Sequence, residues 1–110
     1  MNSPNAAVDF ILKNSQEFAK AKAKRVYLEE FRKSKKALLM KDALRNGIEA
    51  ANAQEREAYS HPEYLELLDG LAAATEIEEE LKWKLEAARL RIDIWKTETY
   101  NNRMQDKAMA

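Results

Sequence analysis

Stepping by alternating threes and fours from Tyr64 reaches Leu67, Leu71, Ala74, Glu78, Leu81, Leu85, Ala88, Ile92 and Trp95, and nine of these ten positions are apolar or aromatic. Such spacing returns to one side of an α-helix at every step, so it predicts a sustained heptad seam. The exception, Glu78, lies within the acidic run Glu76-Ile77-Glu78-Glu79-Glu80. Trp83, Ala87, Leu90 and Ile94 form a second stripe. At about 100° per residue it falls on the side opposite Leu81, Leu85, Ala88, Ile92 and Trp95. Lys82, Glu86, Arg89 and Asp93 fill one gap between the stripes, and Lys84 and Arg91 fill the other. A two-helix hairpin covers only one of these faces; the other must meet another chain or a first helix that folds back on itself. Trp83, Ala87, Leu90 and Ile94 are predicted to be an oligomer interface.

The upstream pattern is less regular. Tyr27, Phe31 and Leu38 share one helical face, while Val26, Met40 and Leu44 share another. Ser3-Pro4 reads as an N-cap followed by the first helical residue. Nothing then opposes a helix until Asn46-Gly47, where one internal glycine costs about 1 kcal/mol. The pair is either a helix C-terminus or merely a weak point, and the favoured reading is one long helix, bent at Gly47. The stronger break is Ser60-His61-Pro62-Glu63: proline cannot continue a helix and drives His61 out of the α region. Ser60 and Glu63 match the S-x-x-E capping box of a new helix.

These signals predict a single all-α domain over residues 1–110. Its elements are a helix at about 4–59, a turn at about 60–62, and a helix at about 62–104 that crosses Gly70. The expected fold is a long, coiled-coil-like antiparallel helical hairpin. In that pairing residues 46–59 lie beside 62–75, and residues 20–45 beside 76–101. Helices of about 45–55 residues would be roughly 65–80 Å long at 1.5 Å per residue. Two such rods enclose too little interior for their apolar content, and further copies of the chain are the usual remedy. A homo-oligomer is expected.

Composition narrows the function classes. Apolar residues make up 45% of the 110 residues and charged residues 35%, with only 2 Gly and 2 Pro, too few turn formers for a β-rich fold. Cysteine is absent, which excludes disulfides, thiolate zinc sites and cysteine nucleophiles. No basic N-terminal stretch precedes an apolar core, and the run Ala37–Met40 is far too short to span a bilayer. The expected location is the cytoplasm, with no membrane partner. His61, the one histidine, reads as a turn residue. The carboxylates of residues 76–80 diverge around a helix and make a poor metal site. Two isolated glycines cannot build a phosphate loop. Neither a cofactor nor catalysis is expected.

Charge adds a functional lead. The formal net charge is zero, yet residues 20–45 hold ten Lys/Arg against three Asp/Glu, and residues 46–80 hold one Arg against ten Asp/Glu. Arg25, Arg32 and Lys36 fall on one helical ridge and Lys20, Lys24 and Lys35 on the adjacent one, with Tyr27 and Phe31 interleaved. Two readings follow. Cationic ridges with aromatics bind single-stranded DNA by releasing counterions and stacking unpaired bases. Alternatively, the lysines solvate an exposed helix and bridge to the acidic segment, while Tyr27 and Phe31 are core. Trp83 and Trp95 admit the same choice between stacking on bases and packing.

The stretch Ala53-Gln54-Glu55-Arg56-Glu57-Ala58-Tyr59-Ser60, followed by an apolar heptad helix, resembles small helical proteins of tailed phages and prophages. From about residue 27 to 104 the layout resembles the phage UvsY recombination-mediator family, whose members carry an Arg-x-x-Tyr element before a mid-chain break. The resemblance implies an oligomeric, non-catalytic accessory of DNA recombination that binds single-stranded DNA and acts with a recombinase or another phage protein. Only Arg56 and Tyr59 match that element, and His61-Pro62 stands where the family has a glycine-rich turn. The alternative is a structural or adaptor protein that binds a protein partner through its apolar helical faces and has no nucleic-acid role.

Overall fold

Three helices make up nearly all of the chain in a computed structural model that describes residues 4–109: α1 (Asn5–Arg45), α2 (Ala51–Ser60) and α3 (Pro62–Met109). No strand occurs among the described residues. The class is all-α, and within each of the chain's two compact units α1 and α3 pair as a helical hairpin, as the periodicity predicts. Ser3, read as the N-cap of the first helix, lies outside the described residues.

The expected helix over 4–59 is instead two helices. α1 stops at Arg45, and Gly47 takes a positive φ of 94°. The Ile48 N–H donates to the Ala43 carbonyl at 3.0 Å and the Gly47 N–H to the Leu44 carbonyl at 3.1 Å. This pair of bonds is a Schellman C-cap, with glycine at the left-handed position. Half-buried Ile48 follows it, where that motif places its apolar contact. α2 then starts at Ala51 without a side-chain cap, and Gln54 Nε2 donates to the Ile48 carbonyl at 2.9 Å. A weak point in sequence thus becomes a full break, because the freed carbonyls find partners and a second short helix gains a surface to pack on.

The start of α3 differs from the capping box. Ser60 remains the last residue of α2, and its Oγ donates back to the Arg56 carbonyl at 2.8 Å. His61 is the extended residue, with φ −67° and ψ 135°, as its place before proline requires. Its Nδ1 accepts the Glu63 backbone N–H at 3.1 Å. His61 is the N-cap, and Pro62 takes the first helical position.

Two compact units are distinguished, Lys20–Glu78 and the combination of Met1–Ala19 with Glu79–Ala110. Within Lys20–Glu78, Lys35 pairs with Glu63 at 3.2 Å and Arg25 pairs with Glu78, which fixes the register. The basic stretch of α1 therefore lies against residues 62–78, not 76–101, and residues 46–59 do not run beside 62–75. The reversal is spread over the Gly47 break and α2, so α1 itself meets the start of α3. Leu39, Ala58 and Tyr64 are the buried centre of this unit, with Met40 and Leu68 packed on it. Burying one leucine such as Leu39 contributes about 2 kcal/mol.

Every heptad position of α3 in this unit (Tyr64, Leu67, Leu71, Ala74 and Glu78) is buried or half-buried. The facing line of α1 is Ala21, Arg25, Leu28, Arg32, Lys35 and Leu39. This differs from the faces read from sequence: Val26, Tyr27, Leu38 and Leu44 are exposed. Three cations at inward positions hid the register.

In the other unit, Ala7 and Ala88 are buried, and Ile11, Phe18, Leu81, Leu85, Ile92 and Trp95 are half-buried. Asn14 also faces inward, its Nδ2 donating to the Phe10 carbonyl at 2.9 Å. Trp83, Ala87, Leu90 and Ile94 are exposed, each large side chain by half or more. No helix among the described residues is long and apolar enough to cross a membrane.

Candidate nucleic-acid interface

The six cations singled out in sequence, Lys20, Lys24, Arg25, Arg32, Lys35 and Lys36, do not form one free ridge. Arg25 points into the seam, where its Nε and one terminal nitrogen engage both oxygens of buried Glu78, the second contact at 3.1 Å. Its other terminal nitrogen donates to Glu29 at 3.0 Å. The Glu78 hydrogen bond is the main reason that the guanidinium pKa lies above its already high ordinary value. Bidentate pairing of this kind leaves Arg25 little capacity for a phosphate. Lys35 is engaged by Glu63 on the side of the recess formed with Leu28, Phe31 and Leu67. Lys20 and Lys24 lie exposed along α1.

The remaining two, Arg32 and Lys36, come together with residues the sequence does not connect. Arg32, Lys33, Lys36, Tyr59 and Tyr64 line one open recess. α1 supplies the cations from consecutive turns, α2 supplies Tyr59 and α3 supplies Tyr64. The two tyrosines meet edge to face, with centroids 5.4 Å apart. Buried Tyr64 therefore sets the orientation of exposed Tyr59. Lys36 Nζ lies 4.6 Å from the Tyr59 centroid and 3.5 Å from Glu55. Tyr59 first, and then Glu55 against the opposing cost of desolvation, raises the Lys36 pKa above the usual lysine value. Lys33 reaches Glu30 at 3.4 Å. These last pairs are exposed enough to exchange readily for another anion.

The electrostatic balance favours local pairing as the first role of the basic segment. Residues 20–78 contain eleven Lys/Arg, the ten of 20–45 and Arg56, against eleven Asp/Glu. The strong positive charge read along α1 is thus matched within its own unit. What survives is a compact basic–aromatic recess. Tyr27 and Phe31 stack at 5.8 Å, but Tyr27 is exposed and neither lines this recess.

Tyr64 is the member that sequence reasoning missed, because it reads as a heptad residue, and Lys33 belongs to the basic segment 20–45 but to neither of its two ridges. Only the folding of α2 over the end of α1 joins them to Tyr59. Trp95 packs in the seam, whereas Trp83 is exposed with Lys82 Nζ 5.6 Å from its ring centroid. Beside the Trp83 stripe, Arg89 lowers the Glu86 pKa from its usual range by a hydrogen bond. His61 serves as a helix cap. No group of three potential metal-ligating side chains occurs among the described residues.

Set against protein-family models, curated proteins and solved structures, the chain matches none of them.

Proposed function

We propose that this chain is a non-catalytic, self-associating accessory protein of DNA metabolism, of the kind that phages encode, which binds single-stranded DNA through the cationic side of its α1–α2 corner. One observation carries the reading: three cations and two tyrosines drawn from three helices line a single open recess. A recess with this lining suits a polyanion that also bears aromatic rings, since cations release counterions from phosphates and tyrosine offers a stacking face. Arg32, Lys33 and Lys36 replace the longer ridge as the residues assigned to the contact, because Arg25 and Lys35 are held by α3 carboxylates.

The test is fluorescence anisotropy with a labelled single strand at about 50 and 200 mM salt. Binding is expected to weaken steeply over that range, and Arg32→Glu with Lys36→Glu should abolish it. Unchanged binding by that variant rejects the site, and no binding at the lower salt rejects the nucleic-acid reading. The exposed Trp83, Leu90 and Ile94 favour a second reading. Here the chain is a structural or adaptor protein that uses its apolar α3 face on a protein partner and binds no DNA at either salt.

A further inference from the structure

We propose that Tyr59 is the platform on which one unpaired base stacks, flanked by phosphates on Arg32, Lys33 and Lys36 to one side and on Arg56 to the other. This inference rests on the nucleic-acid reading and adds its mode. Tyr59 lines two recesses: one shared with the three α1 cations and Tyr64, the other on the outer face of α2 with Arg56. Arg56 and Tyr59 are three residues apart on one helix and so share a face. The ring is exposed by 42% while its neighbour Tyr64 is exposed by only 7%. A partner can therefore reach a ring whose orientation is already set by a buried contact.

Lys36 Nζ lies over one face of the ring, so a base stacks on that face by displacing it. The same position lets Lys36 turn from Glu55 toward a phosphate, since the 3.5 Å pair with Glu55 is half-exposed. Glu55 lies beside Tyr59 and Arg56 in the outer recess and disfavours a phosphate placed directly over it, which leaves Arg56 as the anion contact there. A platform that takes a base from its stack requires an unpaired strand. Duplex DNA, whose bases are already stacked, offers only its phosphates.

The experiment compares labelled (dT)20, an abasic strand of equal length and a 20-base-pair duplex, with the full chain at about 50 mM salt. The normal strand is expected to bind about tenfold more tightly than the abasic strand. Tyr59→Ala should remove that difference and Tyr59→Phe should keep it, while Arg32→Ala weakens both strands by the same factor. Tyr59→Leu serves in place of Tyr59→Ala if circular dichroism finds the alanine variant unfolded. Equal affinity for normal and abasic strands, or duplex binding as tight as single-strand binding, overturns the stacking mode and leaves charge-based binding standing. Failure of every strand to bind overturns the nucleic-acid reading with it.

Discussion

Arg25 and Glu78 meet inside the heptad seam, each at a position where a coiled coil ordinarily places an apolar residue, and together they set the register of α1 against α3. Glu78 is the one polar member of the α3 pattern, and Arg25 is its counterpart. Removing one partner deprives the other inward-facing ion of its bidentate contact, which is more damaging than replacing the pair. Glu78→Ala and Arg25→Leu are each expected to lower Tm by about 5 °C or more. The double variant Arg25→Leu/Glu78→Leu should recover most of that loss in a thermal melt followed by circular dichroism. A double variant as unstable as the worse single one would contradict the pairing. The raised Arg25 pKa means that its favourable contribution is fully present below the ordinary arginine value and is lost only above it. Arg25 itself therefore introduces no pH dependence near neutrality.

The two glycines are expected to respond in opposite directions to alanine. Neither would bring a new Cβ within 4 Å of a neighbour, but Gly47 has a φ of 94° and Gly70 lies inside α3. Gly47→Ala forces a side chain into the left-handed region and should cost about 1 kcal/mol. Gly70→Ala removes backbone freedom from the unfolded chain and should add about 0.5–1 kcal/mol. Urea melts of the two variants test this, and the same sign for both would refute the break at Gly47.

Capping of α3 by His61 gives a further separation. His61→Ala should cost about 1 kcal/mol, as loss of an N-cap does, and His61→Asn should restore most of it. Ser60→Ala should be close to neutral, because the Ser60 hydroxyl bonds back into α2. The capping box expected from sequence makes the reverse forecast, with Ser60→Ala the damaging change. Chemical denaturation of the three variants decides between them.

Self-association is expected through the stripe Trp83, Ala87, Leu90 and Ile94. Light scattering should return a mass that is a multiple of 12.7 kDa. Leu90→Glu with Ile94→Glu should return the mass of one chain while the helical signal persists, since neither residue faces the seam. A single-chain mass for the unaltered protein would remove the oligomer from the proposed function.

Periodicity alone determined the all-α class, the inward line of α3 and its opposed exposed stripe, because a local 3.5-residue repeat needs no knowledge of a partner. Proline and glycine likewise marked both breaks, since their backbone limits are intrinsic. The severity of the Gly47 break depended on carbonyl capping and on a surface for α2, which are tertiary gains. The inward face of α1 was equally hidden, because Arg25, Arg32 and Lys35 occupy core positions that only Glu78, Glu63 and the corner recess explain. The recess itself joins Arg32, Lys33 and Lys36 to Tyr59 and Tyr64 across two helix breaks. Contacts between residues so far apart in sequence depend on how helices pack, and a one-dimensional pattern contains no term for that.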